Sequence, residues 1–150
     1  MVKRKLEVIK INKGDAPKFD KHIKNLSGVV LFHHPGCIHC IMLKPKWDMM
    51  KDRAPHNAKI MEVSAEALQE SHSPIKNKIQ GFPMIVYLNN GEIKDTFAEE
   101  RNVENMLKFV TKHLHHSKNK LDYNYKFKNS KKHNIVKVKK TKKRNTKKKK

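Results

Sequence analysis

The only two cysteines of the chain, Cys37 and Cys40, stand two residues apart in the segment Phe32-His33-His34-Pro35-Gly36-Cys37-Ile38-His39-Cys40. A short apolar run, Val29-Val30-Leu31-Phe32, precedes them and reads as a buried strand, and Leu43, Trp47 and Met50 follow at helical spacing. A strand that ends in Cys-x-x-Cys and opens into a helix is the layout of a redox dithiol. The first sulfur then sits at the helix N-terminus, where unpaired N–H groups and the helix dipole favour a thiolate. A thiolate is the attacking species in disulfide exchange, and a second thiol three residues on can resolve the mixed disulfide.

Charge divides the 150 residues unevenly. Residues 112–150 carry 17 Lys and Arg against one acid, Asp122, whereas residues 1–111 carry 18 against 13. About 110 residues can bury one small core. The last 39 are too polar and too like-charged to collapse alone. The expected organisation is therefore a domain at 1–111 and a basic, disordered tail at 112–150. Apolar runs are only a few residues long, so no transmembrane segment is expected. No apolar stretch of about 7–15 residues follows Lys3, Arg4 and Lys5, so no signal peptide is evident. The expected setting is intracellular and reducing, in cytoplasm, nucleus or virion. There a lone Cys-x-x-Cys is more often catalytic than structural. Lysine outnumbers arginine 31 to 4, the bias of an A+T-rich genome such as those of parasites, some large DNA viruses and some bacteria.

Periodicity supplies the elements. Leu6, Val8, Ile9 and Ile11 suggest a first strand, and Asp15 with Pro17 starts a helix carrying Phe19, Ile23 and Leu26 that Gly28 closes. Residues 29–33 form the central strand. The helix that begins at the dithiol should be interrupted and kinked at Pro45, which lacks an N–H to donate. Residues 59–63 give another strand, and 65–72 a helix that Pro74 breaks, with Ile75 and Ile79 in a further helical piece. Residues 84–88 form a strand, Asn90-Gly91 a tight hairpin turn, and 93–97 its return. Asn102 caps a last helix with Val103, Met106, Leu107 and Val110 on one face. The order is βαβαβαββα.

That order, with Cys-x-x-Cys after the second strand and Gly81-Phe82-Pro83 before the fourth, resembles the thioredoxin fold. In detail it resembles the catalytic domain of the protein disulfide isomerase group, over roughly residues 5–111. The resemblance rests on Phe32, Pro35, Cys37, His39, Cys40, Leu43, Pro45, the Gly81-Phe82-Pro83 block, Asn90-Gly91-Glu92 and Arg101. It implies an α/β three-layer sandwich, a central mixed sheet flanked by helices. It also implies a monomeric thiol–disulfide oxidoreductase or isomerase that needs no cofactor. Protein thiols and disulfides would be the partners.

The same resemblance assigns roles. Cys37 attacks and Cys40 resolves. Pro83 follows a cis peptide bond, facing the dithiol and leaving the Phe82 backbone to pair with a substrate strand. His39 stands where a thioredoxin carries proline, and an imidazolium beside a thiolate makes the disulfide a better oxidant. Ile38 replaces the usual glycine and should shield Cys37 and contact apolar substrates. Leu31 replaces the acid usually found six residues before the first cysteine, the proton acceptor for the resolving thiol. Glu62, at a position usually held by that acid's lysine partner, is the candidate substitute on the neighbouring strand. Arg101 matches an arginine thought to lower the pKa of the resolving cysteine. His33 and His34 complete a four-ligand set suited to zinc. Being adjacent on a strand, however, they diverge to opposite faces, and no metal is expected.

The tail holds Lys139, Lys140, Lys142, Lys143, Arg144, Lys147, Lys148, Lys149 and Lys150. Such a run suits salt-dependent binding of nucleic acid or another polyanion, and Leu121, Tyr123, Tyr125 and Phe127 add faces for base stacking. Two functions are thus in view: a thiol–disulfide oxidoreductase, or a thioredoxin-like binding module that its tail anchors to nucleic acid or to a virion or chromatin assembly. The intact dithiol and proline block favour the enzyme.

Overall fold

The computed structural model describes residues 6–114. The chain runs β1 (Val8–Ile11), α1 (Ala16–Ile23), β2 (Ser27–His33), α2 (Ile38–Arg53), β3 (Ile60–Ser64) and α3 (Ala65–Glu70). A 3₁₀ turn (Pro74–Lys78), β4 (Met84–Asn89), β5 (Glu92–Thr96) and α4 (103–114) complete it. The strands form one mixed sheet in the order β1-β3-β2-β4-β5. β1, β3 and β2 are parallel, β4 runs antiparallel to β2, and β5 antiparallel to β4.

Residues 28–32 of β2 are buried without a break, as a central strand covered on both faces must be. Alternation then sorts side chains into two cores. Val30, Phe32, Met61, Val63, Val86 and Leu88 meet Phe19 and Ile23 of α1 and Leu68 of α3 on one face. Val29, Leu31, Ile60, Ile85 and Tyr87 meet Leu43, Trp47 and Met50 of α2 and Met106, Phe109 and Val110 of α4 on the other. This is the three-layer arrangement that the resemblance implies, and it sets the β2–α2 junction at one end of the sheet.

Two local expectations are corrected. Gly28 does not close α1, which ends at Ile23 with Lys24 as its C-cap. It lies inside β2, where a Cβ would stand 2.5 Å from the Lys59 carbonyl oxygen. Glycine is there for close approach of two backbones, with the Val29 N–H donating to that same carbonyl at 3.0 Å. Nor does Pro45 interrupt its helix: α2 runs through it from Ile38 to Arg53. Leu43 on one side of the proline and Trp47 and Met50 on the other are all buried against the sheet, so packing holds both halves to one helix. At the hairpin, Asn90 and Gly91 both take positive φ, 52° and 79°, as a two-residue turn between right-twisted strands requires.

Candidate active site

α2 begins at the dithiol. Cys37 is its N-cap, and its sulfur accepts from the Cys40 backbone N–H at 3.3 Å. An N-cap is ordinarily an oxygen-bearing side chain; a sulfur there receives the same orphan donors. Both cysteines are free and half-buried. The Cys40 sulfur accepts from the His34 N–H at 3.5 Å.

The two thiols are electrostatically unlike. Cys37 is held below the ordinary thiol range, chiefly by the thiol of Cys40 as hydrogen-bond donor. Burial opposes this, and the N–H groups of Cys40 and His39 and the charge of Arg101 reinforce it. Cys40 is pushed up to about 11, first by burial and then by donating to Cys37, against the weaker pull of the His34 N–H and Arg101. The outer sulfur is therefore the readier nucleophile and the inner one keeps its proton.

The Phe82-Pro83 peptide bond is cis. The Phe82 carbonyl lies 3.5 Å from the Cys37 sulfur, and that of Pro83 accepts from Arg101 Nη2 at 3.3 Å. The proline loop, the dithiol and Arg101 thus meet at one end of the sheet. Ile38 is exposed beside Cys37, with Ile41, Met42 and Met49 also exposed along α2. His39 is exposed on the first turn of the helix.

Glu62 and Cys40 line one cavity of about 460 Å³, together with Leu31, His33, His34, Lys44 and Asp48. The Glu62 side chain is only 14 % exposed and is ion-paired to Lys51. Its Oε1 also accepts from Trp47 Nε1 at 2.9 Å. Lys51 in turn bonds Asp48 at 3.1 Å, and its own pKa is raised because these carboxylates outweigh burial, the largest single influence.

The sequence marks Trp47 as core and does not point to Lys51; the two share a helix face four residues apart, but only strand register brings Glu62 to them. His33, which the sequence offers only as a metal ligand, lines the Cys40 cavity, and so does His34. His34 also accepts the Gly36 N–H on Nδ1 at 3.0 Å, with its ring 6.0 Å from that of Phe82. Among the described residues no three His, Cys, Asp or Glu side chains gather as a metal site, and no helix is long and apolar enough to cross a membrane. The basic run at 139–150 and the aromatic residues at 121–127 lie outside the described residues.

A family model described as thioredoxin matches residues 8–112. Among curated proteins, the chain is 24 % identical over 102 residues to a thioredoxin domain-containing protein 5 homolog of Drosophila melanogaster. That match covers 66 % of this chain and 24 % of the relative. It is 28 % identical over 105 residues to a protein disulfide-isomerase of Zea mays, covering 67 % of this chain and 20 % of that one. The chain therefore spans a quarter or less of the length of these relatives. Among solved structures, the J-Trx1 fragment of ERdj5 superposes with a TM-score of 0.57 at 18 % identity, over 72 % of this chain and 52 % of that one, which is a likeness of fold.

Proposed function

The chain belongs to the thioredoxin family, and we propose that it is a thiol–disulfide oxidoreductase acting on protein thiols and disulfides through Cys37 and Cys40. One observation carries this reading. The Cys37 sulfur is at once the N-cap of α2 and a neighbour of the Phe82 carbonyl, so an activated sulfur stands beside a backbone edge that an extended substrate can pair with.

In the reducing direction the Cys37 thiolate attacks one sulfur of a substrate disulfide. A Cys37–substrate bond forms, and the second substrate sulfur leaves with the electron pair and is protonated. Cys40 then loses its proton and attacks Cys37, closing the intramolecular disulfide and expelling the first substrate sulfur. Two electrons pass from the dithiol to the substrate. The oxidising direction is the reverse, and release followed by re-attack at another bond is isomerisation. Ile38 and the Phe82-Pro83 edge seat the substrate, His39 tunes the dithiol, and Arg101 with Glu62 assists the proton step at Cys40.

Reduction of insulin in the presence of dithiothreitol tests the proposal. The chain should accelerate precipitation of the B chain over dithiothreitol alone, and Cys37→Ser should return the rate to background. Equal rates for the two proteins would overturn it.

A further inference from the structure

We propose that His33 accepts the proton of Cys40 when the mixed disulfide is resolved, with Glu62 as the fixed counter-charge that positions and stabilises its protonated form. The proposal rests on the oxidoreductase reading above.

His33 ends β2 and shares its inner face with Leu31, two residues earlier. Leu31 pairs with Glu62 and His33 with Ser64 across the β2–β3 boundary, so imidazole and carboxylate are diagonal neighbours. The cavity that holds both also holds the Cys40 side chain and has room for a bridging water. The charged and titratable groups facing it are Glu62 from β3, Lys44 and Asp48 from α2, Lys10 from β1 and His34 just after β2. Burial, the largest influence, holds His33 below its ordinary value, with Glu62 pulling it up and Lys44 pressing it down. A neutral imidazole has one ring nitrogen free to accept.

The other candidates are less well placed. Oε1 of Glu62 already accepts from both Trp47 and Lys51, two donors that compete with a thiol for the carboxylate. His34 spends Nδ1 on Gly36, and His39 is exposed to solvent. In the step itself, His33 takes the Cys40 proton through water and the Cys40 thiolate attacks the Cys37 sulfur. The Cys37–substrate bond breaks, and the imidazolium gives its proton to the departing thiolate, directly or by way of solvent. His33 ends neutral and the electron count of the exchange is unchanged.

The test uses the reduced full chain and dithionitrobenzoate. Attack by Cys37 releases one thionitrobenzoate and leaves a second in the mixed disulfide, which Cys40 then expels; both releases are followed by absorbance. His33→Gln and His33→Phe should slow the second release by about 10²-fold at pH 7, leave the first unchanged, and converge on the wild-type rate toward pH 10, where hydroxide removes the proton. A second release within twofold of wild type between pH 6 and 8 would overturn the proposal. So would loss of both releases in both variants, which would make His33 structural. An independent readout is the ring titration of His33 by NMR, expected below that of a free histidine and lower still in Glu62→Gln; no change in that variant would remove Glu62 as counter-charge. Failure of the wild-type chain to give any second release would instead overturn the oxidoreductase reading itself.

Discussion

Leu31 of β2 and Glu62 of β3 are register partners on two parallel central strands. An aliphatic side chain thus occupies the position from which the family resemblance would place an acid, and a carboxylate stands one strand away. It lines the same cavity as Cys40. Glu62→Gln keeps an acceptor for Trp47 but removes the charge. It should slow release of the mixed disulfide by about tenfold, less than the ~10²-fold of a direct general acid–base group because Glu62 acts through His33, while alkylation of Cys37 stays nearly unchanged. Lys51 keeps Asp48 but loses its better-buried partner, so the unfolding free energy from urea titration should fall by about 1–3 kcal/mol. A stability loss without the kinetic one would leave Glu62 as the partner of Lys51 and nothing more.

The unlike thiols predict a split pH profile for alkylation. Cys37 is depressed below its ordinary value, so its reaction with iodoacetamide should reach half its maximum below the free-thiol midpoint. Cys40, at about 11, should stay unmodified through pH 7–9. Arg101 favours the thiolate of both, so Arg101→Gln should move the Cys37 profile to higher pH. Linkage has the same sign: the Cys37 thiolate stabilises the reduced fold above the unfolded thiol value, and that contribution is lost as pH falls through the lower folded value. Mass spectrometry of the singly labelled protein decides the order; a first label on Cys40 reverses the roles.

The fold was legible because its central strand and amphipathic helices carry period and punctuation in the chain itself. The unbroken apolar run before Cys37, the Asn90-Gly91 turn and the Asn102 cap are all local signals. Asn102 Oδ1 does accept from the Asn105 N–H at 2.8 Å. Gly28 and Pro45 were misread because their meaning is not local. Glycine inside β2 answers to Lys59 on a neighbouring segment, and Pro45 is tolerated because Trp47 and Met50 bury the helix beyond it. The dithiol and proline block were visible as motifs. The Glu62–Lys51–Trp47 cluster was not, because strand register and helix face together bring those three side chains into one place.

Gly28 makes a clean test of that account. Gly28→Ala puts a Cβ into backbone that cannot yield like the end of a flexible side chain, and should cost about 1–3 kcal/mol or more, as overpacking does. Gly81, the first residue of the proline block, has nothing within 4 Å of its Cβ position, and Gly81→Ala should stay within about 0.5 kcal/mol. Urea unfolding of both variants makes the comparison. Equal effects would mean that β2 shifts to accommodate a methyl group.

His39 is predicted to raise the reduction potential, and the structure separates two ways it can do so. An imidazolium beside Cys37 favours the thiolate and with it the reduced state. The ring is exposed, however, and exposed charges are screened. The His39 backbone N–H also favours the Cys37 thiolate, and a proline there would delete that donor along with the ring. Equilibration with glutathione should therefore give the wild-type chain roughly −230 to −150 mV, more oxidising than a thioredoxin near −270 mV. His39→Pro should lower it by about 30–60 mV, where ~30 mV is about 1.4 kcal/mol on the dithiol equilibrium. His39→Ala, which keeps the N–H, should fall by less than half as much. If the two variants drop together, the imidazolium is the whole effect; if neither moves, or the wild-type chain already lies at or below about −270 mV, residue 39 does not set the potential.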